Sequence, residues 1–201
     1  MRIFLVRHGK DDGNYRGGWS SMPLTEEGIN QVKKLAEFLN TQKDYYNIEK
    51  IISSDLERAR QTTNIINEKL NVNVEFTERL REMNNRKIAG MLNKDVEKIY
   101  PGLYYNTLRI DERYPGGESP IEFHDRIIKD FKDIVKENKN HNNIMIVTHS
   151  GVINIIYRYI NNMEWSNKIK SIKVSNASIY SLILDNNNRY FELENYNEYL
   201  K

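Results

Sequence analysis

Apolar residues gather in short unbroken runs at residues 2–6 (RIFLV), at 50–53 (KIIS) and in NIMIVTH, which ends at His149. Runs of this length without alternation predict strands buried on both faces. VEF, at 74–76, predicts another. Between these runs the period becomes helical. Thr25, a hydroxyl suited to an N-cap, precedes Glu26 and Glu27, and Ile29, Val32, Leu35, Ala36 and Leu39 follow at helical spacing. Ser54-x-x-Glu57 has the form of a capping box, with Leu56, Ala59, Thr63, Ile66 and Leu70 on one face. Ser119-Pro120-Ile121-Glu122 is a second box with proline at the favoured first position, and its apolar face continues through Ile127, Ile128, Phe131 and Val135. VINIIYRYI, after His149, predicts a further helix. NASIYSLIL, DNNN and RYFELEN predict a hairpin that adds an antiparallel edge.

Strands alternating with amphipathic helices place the chain in the α/β class. The expectation is one three-layer domain over residues 1–201, with a mostly parallel central sheet flanked by helices on both faces. Neither an internal repeat nor a linker interrupts it. The Asn-rich stretches NKNHNN and DNNNR predict surface turns.

Composition narrows the function classes. With 201 residues, 39% hydrophobic and 29% charged, the chain can bury a sizeable core and is not of disordered type. Lys and Arg number 30 against 28 Asp and Glu, so there is no basic excess for nucleic acid and any anion recognition must be local. The absence of cysteine excludes disulfides and thiolate chemistry. No apolar run reaches the roughly 18 residues of a membrane span, and no secretory h-region opens the chain. These observations predict a cytoplasmic protein with no membrane partner. They assign no oligomeric state.

Candidate chemistry lies at the strand ends. In open α/β sheets, ligands bind outside the carboxyl ends of the strands. Arg7-His8-Gly9 lies at one such end, and Thr148-His149-Ser150-Gly151 at another. A phosphoryl group needs its oxygens held during in-line attack, and the planar guanidinium suits this. Arg7 offers one fork. Arg58, in the first turn of the helix after the second strand, offers another beside N-terminal N–H groups. His8 can act as a nucleophile through a neutral ring nitrogen, with Gly9 leaving room for close approach. His149, if protonated, can donate to the oxygens. Glu82, in RLREMNN, can protonate an alkoxide leaving group. Each residue also has a plain alternative. The two histidines could be structural, Arg58 could share a solvated face with Arg60, and Glu82 could be a surface carboxylate. His124 and His141 are assigned to structure, the first within a helix and the second in a turn.

Together these residues resemble the histidine phosphatase superfamily, also called phosphoglycerate mutase-like, over nearly the whole chain. LVRHG resembles its catalytic motif, SSDLERARQT its second-arginine segment, LRE the acid motif, PGGES a helix start and VTHSG the second-histidine motif. PLTEEGINQ and SNASI resemble two further family segments. The resemblance implies a phosphohistidine on His8. Arg7, Arg58, His149 and Asn14 would hold the phosphoryl group with Gly9, Ser150 and Gly151 around it, and Glu82 would be the proton donor. No metal or other cofactor is implied, and the partner is a small phosphomonoester. The chain departs from the family pattern at Lys10-Asp11 and at Ile88-Ala89. Lys10, Arg16, Arg86 and Lys87 could favour a polyanionic substrate or be ordinary surface cations. A short Tyr-rich cap, residues 83–118, lies over the strand ends and favours a phosphatase of the bacterial α-ribazole phosphatase type. A cofactor-dependent phosphoglycerate mutase and a non-catalytic regulatory member of the fold are the alternatives.

Overall fold

The computed structural model describes residues 1–169 and 172–184, and the backbone of 189–192. The apolar runs form β1 (Arg2–Arg7), β2 (Lys50–Ser54), β3 (Asn73–Thr77) and β4 (Asn143–Thr148). β5 (Ile179–Leu184) and β6 (Arg189–Glu192) complete a six-stranded sheet in the order β3-β2-β4-β1-β5-β6. β1, β2, β3 and β4 run parallel, and β5 and β6 extend the sheet antiparallel beyond β1. The expected hairpin is present in its two strands; its turn, 185–188, lies outside the described residues.

Alternation within each run sorts the two faces. Phe4, Val6, Ile51, Met145 and Val147 meet α1 (Glu26–Thr41) and α3 (Glu57–Leu70), with the short α2 (Lys43–Tyr46) supplying Tyr46. Ile3, Leu5, Ile52, Ile144 and Ile146 meet α5 (Pro120–Glu137) and α6 (Ser150–Ile160). Burial on both faces explains why the strands are continuously apolar. Thr25 caps α1 by accepting from the Gly28 N–H, and Ser119 and Glu122 close a complete capping box on α5.

The box at Ser54 does not form. Helix α3 begins at Glu57 behind Leu56, without a side-chain cap. Ser54 is instead the last residue of β2, and its hydroxyl lies 2.9 Å from Nε2 of His149. One oxygen cannot serve both geometries, and the strand end takes it.

The cap is more ordered than a Tyr-rich loop. It contains α4 (Asn93–Ile99) and packs Ile88, Val96, Leu108 and Tyr114 into the α5/α6 core. It is sewn to the loop after β1 by Arg16 N–H to Met91 O, 2.9 Å, and Asn93 N–H to Asn14 O, 2.8 Å.

Gly9 also has a reason other than the expected one. A Cβ there would lie 2.6 Å from Gly28 O and 2.7 Å from Val32 Cγ2. The glycine lets the chain cross the start of α1, rather than making room for a ligand. Gly9→Ala should therefore destabilise the fold by about 1–3 kcal/mol through overpacking. Thermal denaturation checks this, at roughly 2–4 °C of Tm per kcal/mol for a chain of this size.

Candidate active site

In-register pairing brings the candidate residues together. Arg7 is the β-partner of Thr148, so His8 and His149 leave adjacent parallel strands at the same level. Their ring centroids are 5.0 Å apart. The His8 main chain is held from both sides: its N–H donates to Thr148 O, and its carbonyl accepts from Ala177 N–H and Asn176 Nδ2. Those last donors belong to the SNASI segment. On the ring, Nδ1 lies 2.7 Å from Gly9 O. A carbonyl only accepts, so Nδ1 carries the proton and Nε2 keeps its lone pair.

That lone pair faces Arg58. Arg58 Nε donates to His8 Nε2 at 3.2 Å. Its Nη1 donates to the Ser20 carbonyl and hydroxyl, and its Nη2 to Gly18 O at 2.8 Å. Arg58 is buried on the helix face that the capping pattern predicted as apolar, so its neighbour Arg60 says nothing about it. Arg7 donates through Nη1 to Val174 O at 2.6 Å, while its Nε is buried without a partner.

His149 is completely buried. Its Nε2 is taken by Ser54, and Nδ1 has no partner. Burial, followed by the charges of Arg58, His8 and Arg7, holds its pKa well below the ordinary value. His8 is lowered in the same way by burial, then by Arg58 and Arg7. Burial and the neighbouring guanidinium charges thus work against the protonated form through which His149 would donate, while Arg7 and Arg58 are the permanent cations of the cluster.

Glu82 sits across from this cluster. Its carboxylate accepts from Gly151 N–H at 3.0 Å and Met83 N–H at 3.1 Å. A Cβ on Gly151 would lie 2.3 Å from Glu82 Oε1, so glycine is what allows the carboxylate to approach. Several positioning contacts here have no signal in the sequence. Trp19 Nε1 donates to Glu82 O at 2.7 Å, and Arg126 reaches the carbonyls of Arg79, Arg81 and Glu82 while pairing with Glu118. Asn14 does not join the cluster. It is exposed, and its amide donates to Asp12 at 2.9 Å. His124 stacks on Trp165 and His141 lies in a turn, both remote in role from the site.

Beside Glu82 opens a cavity of about 390 Å³, lined by Arg16, Glu82, Ser150 and Gly151 and by the aromatic residues Tyr104, Tyr105, Tyr114 and Phe123. Burial pushes the Tyr114 phenol up to about 12, and Tyr105 is raised for the same reason. Both phenols therefore stay protonated and can donate. Among the described residues, no group of three or more His, Asp and Glu side chains is arranged to hold a metal ion, and no helix is long and apolar enough to cross a membrane.

The family model of the histidine phosphatase superfamily (branch 1) matches residues 3–198. The chain belongs to this superfamily. Phosphoglycerate mutase-like protein 4 of Arabidopsis thaliana is 33% identical to this superfamily member over 77% of the chain and 69% of its own length. The probable phosphoglycerate mutase GpmB of Escherichia coli is 34% identical over 63% of the chain, and the match spans only 60% of that protein. Among solved structures, YhfR of Bacillus stearothermophilus has a TM-score of 0.85 at 20% identity, covering 100% of this chain and 99% of its own. The Shigella flexneri α-ribazole phosphatase has a TM-score of 0.81 at 23% identity, covering 96% and 95%. A mycobacterial glucosyl-3-phosphoglycerate phosphatase has a TM-score of 0.75 at 22% identity, covering 96% of each chain. The structural likenesses show the shared fold.

Two imidazoles whose folded pKa lies below the unfolded value bind fewer protons in the folded chain than in the unfolded one. The stability they contribute is complete above about pH 6.5 and is lost as pH falls below it. Ring-proton NMR should show neither His8 nor His149 titrating at the ordinary midpoint. Thermal denaturation should show stability falling below about pH 6.5, with a limit of roughly 1.4 kcal/mol per pH unit for each ring.

Proposed function

We propose that this histidine phosphatase family member is a phosphomonoester hydrolase working through a phosphohistidine on His8. The observation that carries the reading is the His8 tautomer: Nδ1 is committed to Gly9 O, and the lone pair on Nε2 lies 3.2 Å from a buried guanidinium. As the phosphoryl group enters, the Arg58 Nε–H turns from His8 Nε2 to a phosphoryl oxygen; the freed lone pair on Nε2 attacks phosphorus, the bond to the ester oxygen breaks, and Glu82 as the carboxylic acid protonates the departing alkoxide. Water then attacks phosphorus, Glu82 takes its proton, and phosphate leaves His8. Arg7, through its unpaired Nε, Arg58, and the Nδ1–H of His149 supply donors for the phosphoryl oxygens. Asn14 can contribute only if it leaves Asp12.

Hydrolysis is preferred to isomerisation because a mutase must retain the phosphoryl group under a water-excluding lid while its substrate reorients. Four aromatic residues and two amides line the cavity, and Arg16 is its one cation among the described residues. Of Lys10, Arg16, Arg86 and Lys87, Lys10 pairs outward with Glu27, while Arg86 and Lys87 are exposed. Arg16 alone enters the cavity, 4.2 Å over the Tyr104 ring. This supports a modest, partly aromatic leaving group. The relatives' names, phosphoglycerate mutase-like protein and probable phosphoglycerate mutase, favour a second reading, in which 3-phosphoglycerate is isomerised without net phosphate release.

A phosphate-release panel containing nitrophenyl phosphate, α-ribazole phosphate, sugar bisphosphates, nucleotides and 3-phosphoglycerate tests both. His8→Ala should abolish release, and residual activity near wild type would remove His8 as nucleophile. Glu82→Gln should cost on the order of 10²-fold or more on alkyl esters, with a much smaller loss on nitrophenyl phosphate, whose leaving group needs no proton. Equal loss on both would remove Glu82 from the acid role. Activity should persist in excess chelator. Isomerisation without release would favour the mutase reading, and silence on every substrate a non-catalytic member of the fold.

A further inference from the structure

Lys10-Asp11, one of the departures from the family pattern, has a use that the proposed reaction does not absorb. The Lys10 ammonium turns out to Glu27, but Asp11 turns in: its Oδ2 lies 3.6 Å from Arg58 Nε, the atom that donates to His8 Nε2. Asp11 is also the leading charged neighbour of both buried guanidinium groups, ahead of Glu82. Its position is fixed from the backbone, where it bridges antiparallel to Leu24. The pocket thus sets the guanidinium groups of Arg7 and Arg58 against the carboxyl groups of Asp11 and Glu82. A phosphoryl dianion entering this pocket meets a guanidinium that already has a counterion within ion-pair distance.

The geometry points to Asp11 as a residue that competes electrostatically with phosphoryl oxygens for Arg58, weakening the hold on inorganic phosphate and so favouring product release. This rests on the reading of the His8–Arg58 cluster as a phosphate site. Like charges around one site are mutually disfavoured in a partly desolvated pocket, where screening is weak. An ester offsets the repulsion with contacts made by its leaving group in the aromatic cavity. Free phosphate has no such contacts. The residue thus lowers the affinity of the pocket for any phosphoryl dianion; the ester keeps the binding supplied by its leaving group, and free phosphate, without it, departs.

Calorimetric titration with inorganic phosphate, at fixed pH and ionic strength, on wild type, Asp11→Asn and Asp11→Glu tests this without requiring turnover. Removing the charge in Asp11→Asn should tighten phosphate binding at least tenfold. Asp11→Glu, which restores the charge, should bind as weakly as wild type. The inference is overturned if Asp11→Asn binds phosphate equally or more weakly, which would make Asp11 a structural support for Arg58. It is also overturned if Asp11→Glu tightens binding as much as Asp11→Asn, because shape rather than charge would then decide. Absence of phosphate binding in all three proteins would remove the phosphate site itself, and the inference with it.

Discussion

Arg58 is a permanent cation with only 2% of its side chain exposed, and much of the site is organised around making that burial tolerable. An unpaired charge in a protein interior is unstable, so every edge of the guanidinium must find an acceptor. The carbonyls of Gly18 and Ser20 fix the path of the loop after β1, the Ser20 hydroxyl adds a third contact, and His8 Nε2 must be a lone pair rather than an N–H. The last requirement reaches furthest. It makes the imidazole neutral, sets its tautomer, and so decides which ring nitrogen is available for chemistry. Burying the arginine and fixing the His8 tautomer are one arrangement.

The parallel part of the sheet was legible because strands covered on both faces announce themselves as continuous apolar runs. Arg7-His8-Gly9 was legible because a cation and an imidazole have no reason to end such a run unless something waits at the edge. The capped helices at Thr25 and Ser119 were likewise written in short-range chemistry. Ser54 shows the limit of that kind of signal: its spacing to Glu57 has the right form, yet a partner 95 positions away in sequence claims the hydroxyl. The same blindness hides Trp19, Arg126 and the inward turn of Asp11. Each is an ordinary helix-surface or loop residue until the fold brings it to Glu82 or Arg58. Asn14 is the reverse case, a residue placed at the site by resemblance whose amide is satisfied locally by Asp12.

Nucleophile and acid candidates are held by different means, and this difference has consequences. His8 is continuous with the central strand and is locked by the ladder to β4 and by the segment at Ala177, a non-glycine residue at φ 53. A left-handed alanine is a strained conformation, and it persists because its N–H to the His8 carbonyl and its complete burial over-determine it. Glu82 stands on irregular backbone after β3. Besides the adjacent Met83 N–H, it is held by groups that arrive from elsewhere: the side chains of Trp19 from the loop after β1 and Arg126 from α5, and the backbone amide of Gly151 from the first turn of α6.

Positioning from a sheet edge is stiff and positioning from a loop is adjustable. The side of the pocket built around His8 and Arg58 is therefore defined by the sheet and by α3, elements that cannot shift without disturbing the core. The cavity side is defined by Glu82, Arg16 and the cap tyrosines, all on loops or cap segments that pack on that core. Sequence change can remodel the second side while leaving the first intact. A chain can thus keep the His–Arg cluster while its cap and the residues after the first histidine depart from their relatives. On this physical ground, differences in cavity shape between this chain and its relatives belong to residues 10–19 and 83–118, and the geometry of the His–Arg cluster belongs to the sheet.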